Sequence, residues 1–211
     1  MYFINRLDAA RQLAEKLEKY KNTNSVILAV PRGGVPIGYY LANHLNLPFD
    51  LLMTKKIGHP NNPEFAIGAV GLEDAFIEET QGIPSGYFDK EIANVQQQLK
   101  ERYEKFMGKK SPASIKDKII IIVDDGVATG RTILATLKML RSQQPKKMVV
   151  AVPVSSQQAA RRISDQVDEF ICLYIPAPFF GVGNFYQDFS QTTDEEVIAM
   201  LKELNARENE V

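Results

Sequence analysis

Residues 119–133 read "IIIIVDDGVATGRTI": an apolar run, two adjacent carboxylates, then two glycines and two threonines. Unbroken apolarity marks a strand covered on both faces, the usual state of strands in a parallel sheet flanked by helices. The spacing predicts that this strand ends near Val123 and that a helix starts near Gly130 or Arg131. A loop between strand end and helix start holds backbone N–H groups in the positive field of the helix N-terminus, which seats a phosphate. Gly126 and Gly130 let the backbone come close, and Thr129 and Thr132 add hydroxyl donors. Asp124 and Asp125 would repel the same anion, so they suit sugar hydroxyls or a hydrated Mg²⁺. Each part has an ordinary use as well, since carboxylates at a strand end make Asx turns and glycines bound plain turns. The ensemble is rarer, and it matches neither the P-loop nor the dinucleotide glycine fingerprint.

On both sides of this stretch, short Val/Ile-rich runs alternate with segments of helical period. "SVILAV", "FDLLMT", "KIIIIV", "KMVVAVPV" and "DEFICLYI" read as strands, with helices in "VPIGYYLANHLN", "ILATLKMLRSQ" and "SQQAARRIS" between them. The expected fold is a single α/β domain over residues 1–211, with a mostly parallel central sheet and helices on both faces. A chain of 211 residues that is 45% hydrophobic buries one good core. A formal net charge of −1 provides no general field for a polyanion, so nucleic acid is disfavoured and any anion must be held locally. The N-terminal "MYFINRLDAARQLAEKLEKY" reads as a charged amphipathic helix without an apolar signal core. No run approaches the roughly 20 residues that span a bilayer, so no membrane role and a cytoplasmic location are expected. His44 and His59 lack zinc-ligand spacing, so no all-protein metal site is expected, and Cys172 in "EFICLYI" reads as a small buried side chain.

Residues 55–116 form a long insertion between the second and third strands. It opens with the polar, Gly/Pro-punctuated "KKIGHPNNPEFAIGAVG", read as a lid, and continues as a helix. Phe88, Ile92, Val95, Leu99, Tyr103 and Phe106 place one apolar stripe on that helix. Core packing and a subunit interface explain the stripe equally well, so a homodimer stays open. Near the end, Thr193 and Glu196 have capping-box spacing, which predicts a closing surface helix through "TTDEEVIAMLKEL".

"VDDGVATG" resembles the 5-phosphoribosyl-1-pyrophosphate (PRPP) signature of type I phosphoribosyltransferases. The resemblance implies that Asp124 and Asp125 hold the ribose hydroxyls, and that Gly126, Val127, Ala128, Thr129, Gly130, Arg131 and Thr132 wrap the 5-phosphate. "AVPRGGVPIG" looks like the family's pyrophosphate loop, which implies Arg32, Gly33 and Gly34 at the leaving group. "TKKIGHPNNPE" sits where the family has a flexible catalytic loop, so Lys55 and Lys56 are candidates for neutralising pyrophosphate, with His59 ranked lower. "FICLYIPAPFFGVGNFYQDF" resembles the C-terminal hood segment of hypoxanthine-guanine enzymes and puts Phe179 at a base-stacking position. The implied cofactor is Mg²⁺, held mainly by PRPP with Asp124 and Asp125 nearby. The chain as a whole looks most like a bacterial group described only as predicted phosphoribosyltransferases.

The implied reaction transfers the 5-phosphoribosyl group from PRPP to a nitrogenous base. Two departures leave that base unidentified. Ala128 stands where 6-oxopurine enzymes carry an Asp, and "AVPVSS" lacks their Lys. Gly126 also replaces the usual large apolar residue, which would loosen the loop. The alternative is a regulatory module that binds PRPP or a nucleotide without turnover, as the missing base-handling groups would allow. PRPP synthesis normally needs a longer two-domain chain.

Overall fold

The computed structural model describes residues 3–59, 62–77 and 86–208. The chain runs α1 (Arg6–Leu17), β1 (Ser25–Ala29), α2 (Gly34–Leu45) and β2 (Phe49–Leu51). A second group follows: β3 (Lys55–His59), β4 (Asn62–Val70), β5 (Ala75–Ile77) and α3 (Tyr87–Met107). The remainder is β6 (Ile119–Val123), α4 (Arg131–Ser142), β7 (Lys147–Val154), α5 (Gln157–Ser164), β8 (Glu169–Tyr174) and α6 (Asp194–Glu208).

The main sheet has the order β2-β1-β6-β7-β8, and every neighbouring pair is parallel. Alternate residues of its central strands serve two separate cores, as the two-residue period of a strand requires. Ile27, Ile121, Val123 and Val149 pack with α1, α2, α3 and α6. Val26, Ile120, Ile122, Met148 and Val150 pack with α4 and α5 on the other face. The expected α/β sheet with helices on both faces is present. Both faces are covered, which explains why "IIIIV" and "MVVAV" read as continuous rather than alternating apolarity.

The insertion differs from expectation. Besides the expected helix it holds a second sheet, because β3, β4 and β5 pair antiparallel and pack against α4. The run "FAIGAVG" falls on β4, whose residues 67–70 are all buried, but the Pro and Gly residues around it hid it as a strand. Pro60 and Asn61, inside the proposed lid, lie outside the described residues. Helix α3 forms where its apolar stripe places it. Val95, Leu99, Tyr103 and Phe106 are buried within the chain, which assigns those four to the core. The capping box of α6 closes as expected: Thr193 N–H donates to Glu196 Oε2 at 2.8 Å and Glu196 N–H donates to Thr193 Oγ1 at 3.1 Å. Among the described residues no helix is long and apolar enough to cross a membrane.

Candidate functional site

The strand order changes direction between β1 and β6. From β1 the chain passes through α2 to β2 on one side, and from β6 through α4 to β7 on the other. Helices that leave neighbouring parallel strands on opposite faces open a crevice at the C-terminal edge, where ligands of open α/β sheets bind. Ala29 and Val123, the last residues of the two strands, are register partners, and Val30 N–H extends the pairing by donating to the Val123 carbonyl at 2.9 Å. Both loops singled out by the sequence therefore leave from one point.

Their contact is tight enough to require glycine. A Cβ on Gly33 would lie 2.1 Å from Asp125 Oδ2, and one on Gly34 would lie 2.6 Å from the Val123 carbonyl oxygen. The Pro31–Arg32 peptide is cis. Gly34 N–H donates to the Val30 carbonyl at 2.9 Å, so this residue supplies close approach rather than a donor for an anion. Arg32 Nη1 lies 3.4 Å from Asp194 Oδ1 at the start of α6, while Lys105 Nζ holds the other oxygen of Asp194 at 2.6 Å. A long, half-exposed pair of this kind is weak and easily exchanged for another anion.

In the 126–132 loop, Val127 N–H is committed to the Val154 carbonyl at 2.9 Å and is not available to a phosphate. The next two amides are placed differently. The Val127 carbonyl accepts from Ser156 N–H at 3.0 Å and the Ala128 carbonyl accepts from Ser156 Oγ at 2.6 Å. In a trans peptide the N–H points opposite to the preceding C=O. The Ala128 and Thr129 amides therefore face away from the β7–α5 turn, and both residues are exposed. Gly130, at φ 69°, turns the chain into α4, whose first turn has no side-chain cap. First-turn N–H groups have no carbonyl one turn earlier, so they add to the same positive end.

The anticipated loosening at Gly126 is absent because its space is filled. A Cβ there would lie 2.6 Å from Val182 Cγ1 and 2.8 Å from Val154 Cγ1. Val182 belongs to the segment after β8, so the C-terminal hood rests directly on the acidic loop. Within that hood the Phe179 ring stacks on Phe185 with centroids 5.5 Å apart, which covers one of its faces. The neighbouring Phe180 is 77% exposed. Burial pushes the Cys172 thiol up to about 11, as suits an unreactive packing residue.

Asp124 and Asp125 lie half-buried at the end of β6. Asp124 Oδ1 accepts from Asp125 N–H at 2.9 Å. Asp125 Oδ2 accepts from Arg6 Nε at 2.9 Å and Nη2 at 2.8 Å. Among the described residues no side-chain N or O atom shut off from solvent lacks a partner. Asp124 Oδ2 and Asp125 Oδ1 accept no side-chain hydrogen bond from another described residue. Each acid of the adjacent pair thus keeps one oxygen without a side-chain donor, which suits a hydroxyl partner. Burial, then the neighbouring Asp125 charge, raise the Asp124 carboxyl well above the usual range. Burial also raises Asp125, with Arg6 opposing.

Lys55 and Lys56 open β3, immediately beyond the C-terminal end of β2, on the same edge as the two loops. Lys55 is exposed, with Nζ 3.5 Å from Gln98 Oε1, and His59 closes the same strand. Sequence reasoning missed Arg6, Asp194 and Val182. Each reaches the site from more than 50 residues away, and none carries a local motif.

Fold and site together define an open-sheet α/β protein whose candidate site lies at the switch point of strand order. The chain belongs to the phosphoribosyl transferase domain family, whose family model matches residues 3–186. Two Mycobacterium tuberculosis proteins, provisionally named phosphoribosyl transferases, are 36% identical over 204 residues covering 94% of this chain. That match takes in 46% of their sequence, so the chain spans about half the length of these curated relatives. The crystal structure of TT1426 from Thermus thermophilus is similar over 97% of this chain and 99% of that one, with a TM-score of 0.89 and 36% identity. A Neisseria gonorrhoeae protein crystallised with bound ppGpp shares the fold at a TM-score of 0.54 and 13% identity, covering 96% of this chain and 94% of that one.

Proposed function

We propose that this chain transfers the 5-phosphoribosyl group from PRPP to a nitrogenous base and releases pyrophosphate. The observation that carries this reading is the juxtaposition of Gly33 with Asp125, which brings an acid pair, a helix-start loop and an Arg-Gly-Gly loop to one edge of the sheet. The 5-phosphate sits on the Ala128 and Thr129 amides and the first turn of α4, with the Thr129 and Thr132 hydroxyls beside it. The ribose hydroxyls lie on the open oxygens of Asp124 and Asp125. Arg32 leaves Asp194 to pair with pyrophosphate.

Bond cleavage at C1 puts positive charge on the ring and negative charge on the leaving group. Groups fixed where those charges develop stabilise the separated state more than the ground state. The acid pair faces the cationic ring, while Arg32, Lys55 and Lys56 serve the departing anion. Among the described residues no cluster of three or more His, Cys, Asp or Glu side chains is arranged for a metal. Two carboxylates with open hard oxygens do fit Mg²⁺ held mainly by PRPP. Bound there, it would neutralise charge on the diphosphate.

The test is pyrophosphate release from PRPP and Mg²⁺ across a panel of bases. Release with at least one base, cut by about 100-fold or more in a folded Asp125→Asn variant, is the expected result. PRPP binding with no release for any base would instead favour the regulatory binder, a reading encouraged by Ala128 and by "AVPVSS", which offer no group to handle a base proton.

A further inference from the structure

We propose that Arg6 is the positioning residue of Asp125, fixing which carboxylate oxygen is offered to the sugar. This rests on the PRPP reading above and deepens it. Arg6 is the first residue of α1 and is 119 positions away from Asp125 in sequence. Its Nε and Nη2 converge on a single oxygen, Oδ2, at 2.9 and 2.8 Å. Its Nη1 donates to the Ser190 carbonyl at 2.7 Å, and the guanidinium lies 4.1 Å from the Phe189 ring centroid. A planar fork held from three directions has little freedom, and the carboxylate bonded to it inherits that restriction. The side chains of this pair are only 12% and 14% exposed, so water competes poorly for the contact.

The backbone of Asp125 is held from the same quarter. Tyr186 Oη donates to the Asp125 carbonyl at 2.6 Å. Tyr186 and Arg6 sit on segments bonded to each other: Phe3 N–H donates to the Phe185 carbonyl and Gln187 N–H to the Phe3 carbonyl, both at 2.8 Å. Segments far apart in sequence thus clamp the side chain and the main chain of one acid. Asp125 Oδ1 accepts no side-chain hydrogen bond from another described residue. Fixing Oδ2 aims Oδ1, and a pre-aimed acceptor binds a hydroxyl without reorganising as charge develops on the ring. Arg6 touches the carboxylate rather than the sugar, so its effect must pass through Asp125.

The experiment is an equilibrium titration of PRPP with Mg²⁺ into the full chain, with thermal melting of every variant. Arg6→Gln is expected to weaken PRPP binding by about tenfold or more, and Arg6→Lys by less. On an Asp125→Asn background, Arg6→Gln should add almost nothing, because no carboxylate remains to be aimed. Losses that multiply in the double variant, or unchanged affinity in Arg6→Gln, would overturn the proposal while leaving the PRPP reading intact. A wild-type chain that fails to bind PRPP would overturn both. If Arg6→Gln does not fold, Arg6→Lys and Phe189→Leu carry the test. Lowered affinity with little change in melting temperature supports the role, and wild-type affinity in both sinks it.

Discussion

Single residues at this site are defined by what fills the space around them. Gly126 is the clearest case. The sequence alone suggests a missing apolar side chain, but Val182 and Val154 occupy its place from the hood and from β7. Gly126→Val should therefore destabilise the protein by about 1–3 kcal/mol, because a side chain forced into a filled space shifts its neighbours. Val182→Ala in the same chain should recover part of that loss. Chemical denaturation of the single and double variants checks both, and a neutral Gly126→Val would mean that the loop has slack after all. The acids were legible for the opposite reason. Asp124, Asp125 and the Thr-Gly turn lie together in sequence, so their chemistry is visible without the fold. Arg6 and Asp194 were not legible, because only the fold brings them to the loops.

At the scale of elements, the strands of the main sheet and the capped α6 were readable because local pattern and tertiary role agree. The β3–β5 sheet was not, since punctuation by Gly and Pro hides its strands. That sheet changes what the lysines can do. Lys55 and Lys56 extend from a paired strand packed on α4, the helix that starts the proposed phosphate seat. Lys55→Ala and Lys56→Ala should each lower kcat by about tenfold or more while PRPP affinity moves less, as expected of groups that meet charge only in the transition state. Equal losses in binding and turnover would place them on ground-state PRPP instead.

The opposite edge of the sheet holds a purely structural cluster. Glu169, the first residue of β8, accepts from Lys147 Nζ at 2.7 Å, Tyr20 Oη at 2.6 Å and Lys19 Nζ at 2.5 Å. Burial opposes its ionisation, yet these bonds outweigh it and hold its carboxyl at about 2, against the ordinary 4.5. A depressed carboxylate contributes stability that is complete above about pH 4.5 and is lost as pH falls through 2. With two lysine partners part-exposed, that contribution is about 1–2 kcal/mol at pH 7. Glu169→Gln should lose this at pH 7, and the gap to wild type should narrow below pH 4.5. A gap that is constant with pH would point to packing.

Across the whole molecule, one parallel sheet sets two loops side by side, and the segments at residues 3–6 and 185–190 close behind one of them. The general position of the site was legible, since a strand-loop-helix motif must sit at the C-terminal edge of a parallel sheet. Its support was not, because contacts between segments so distant in sequence leave no periodic trace. The acceptor base stays open for a physical reason: Phe179 has one face on Phe185, and Ala128 offers no polar group. A single seat at the ends of β1 and β6 underlies the proposed chemistry, and a crystal structure of the chain with PRPP and Mg²⁺ tests it most directly. The predicted result is a 5-phosphate on the Ala128 and Thr129 amides with the ribose hydroxyls on the open oxygens of Asp124 and Asp125. PRPP bound elsewhere, with the acid pair facing only protein, would contradict it.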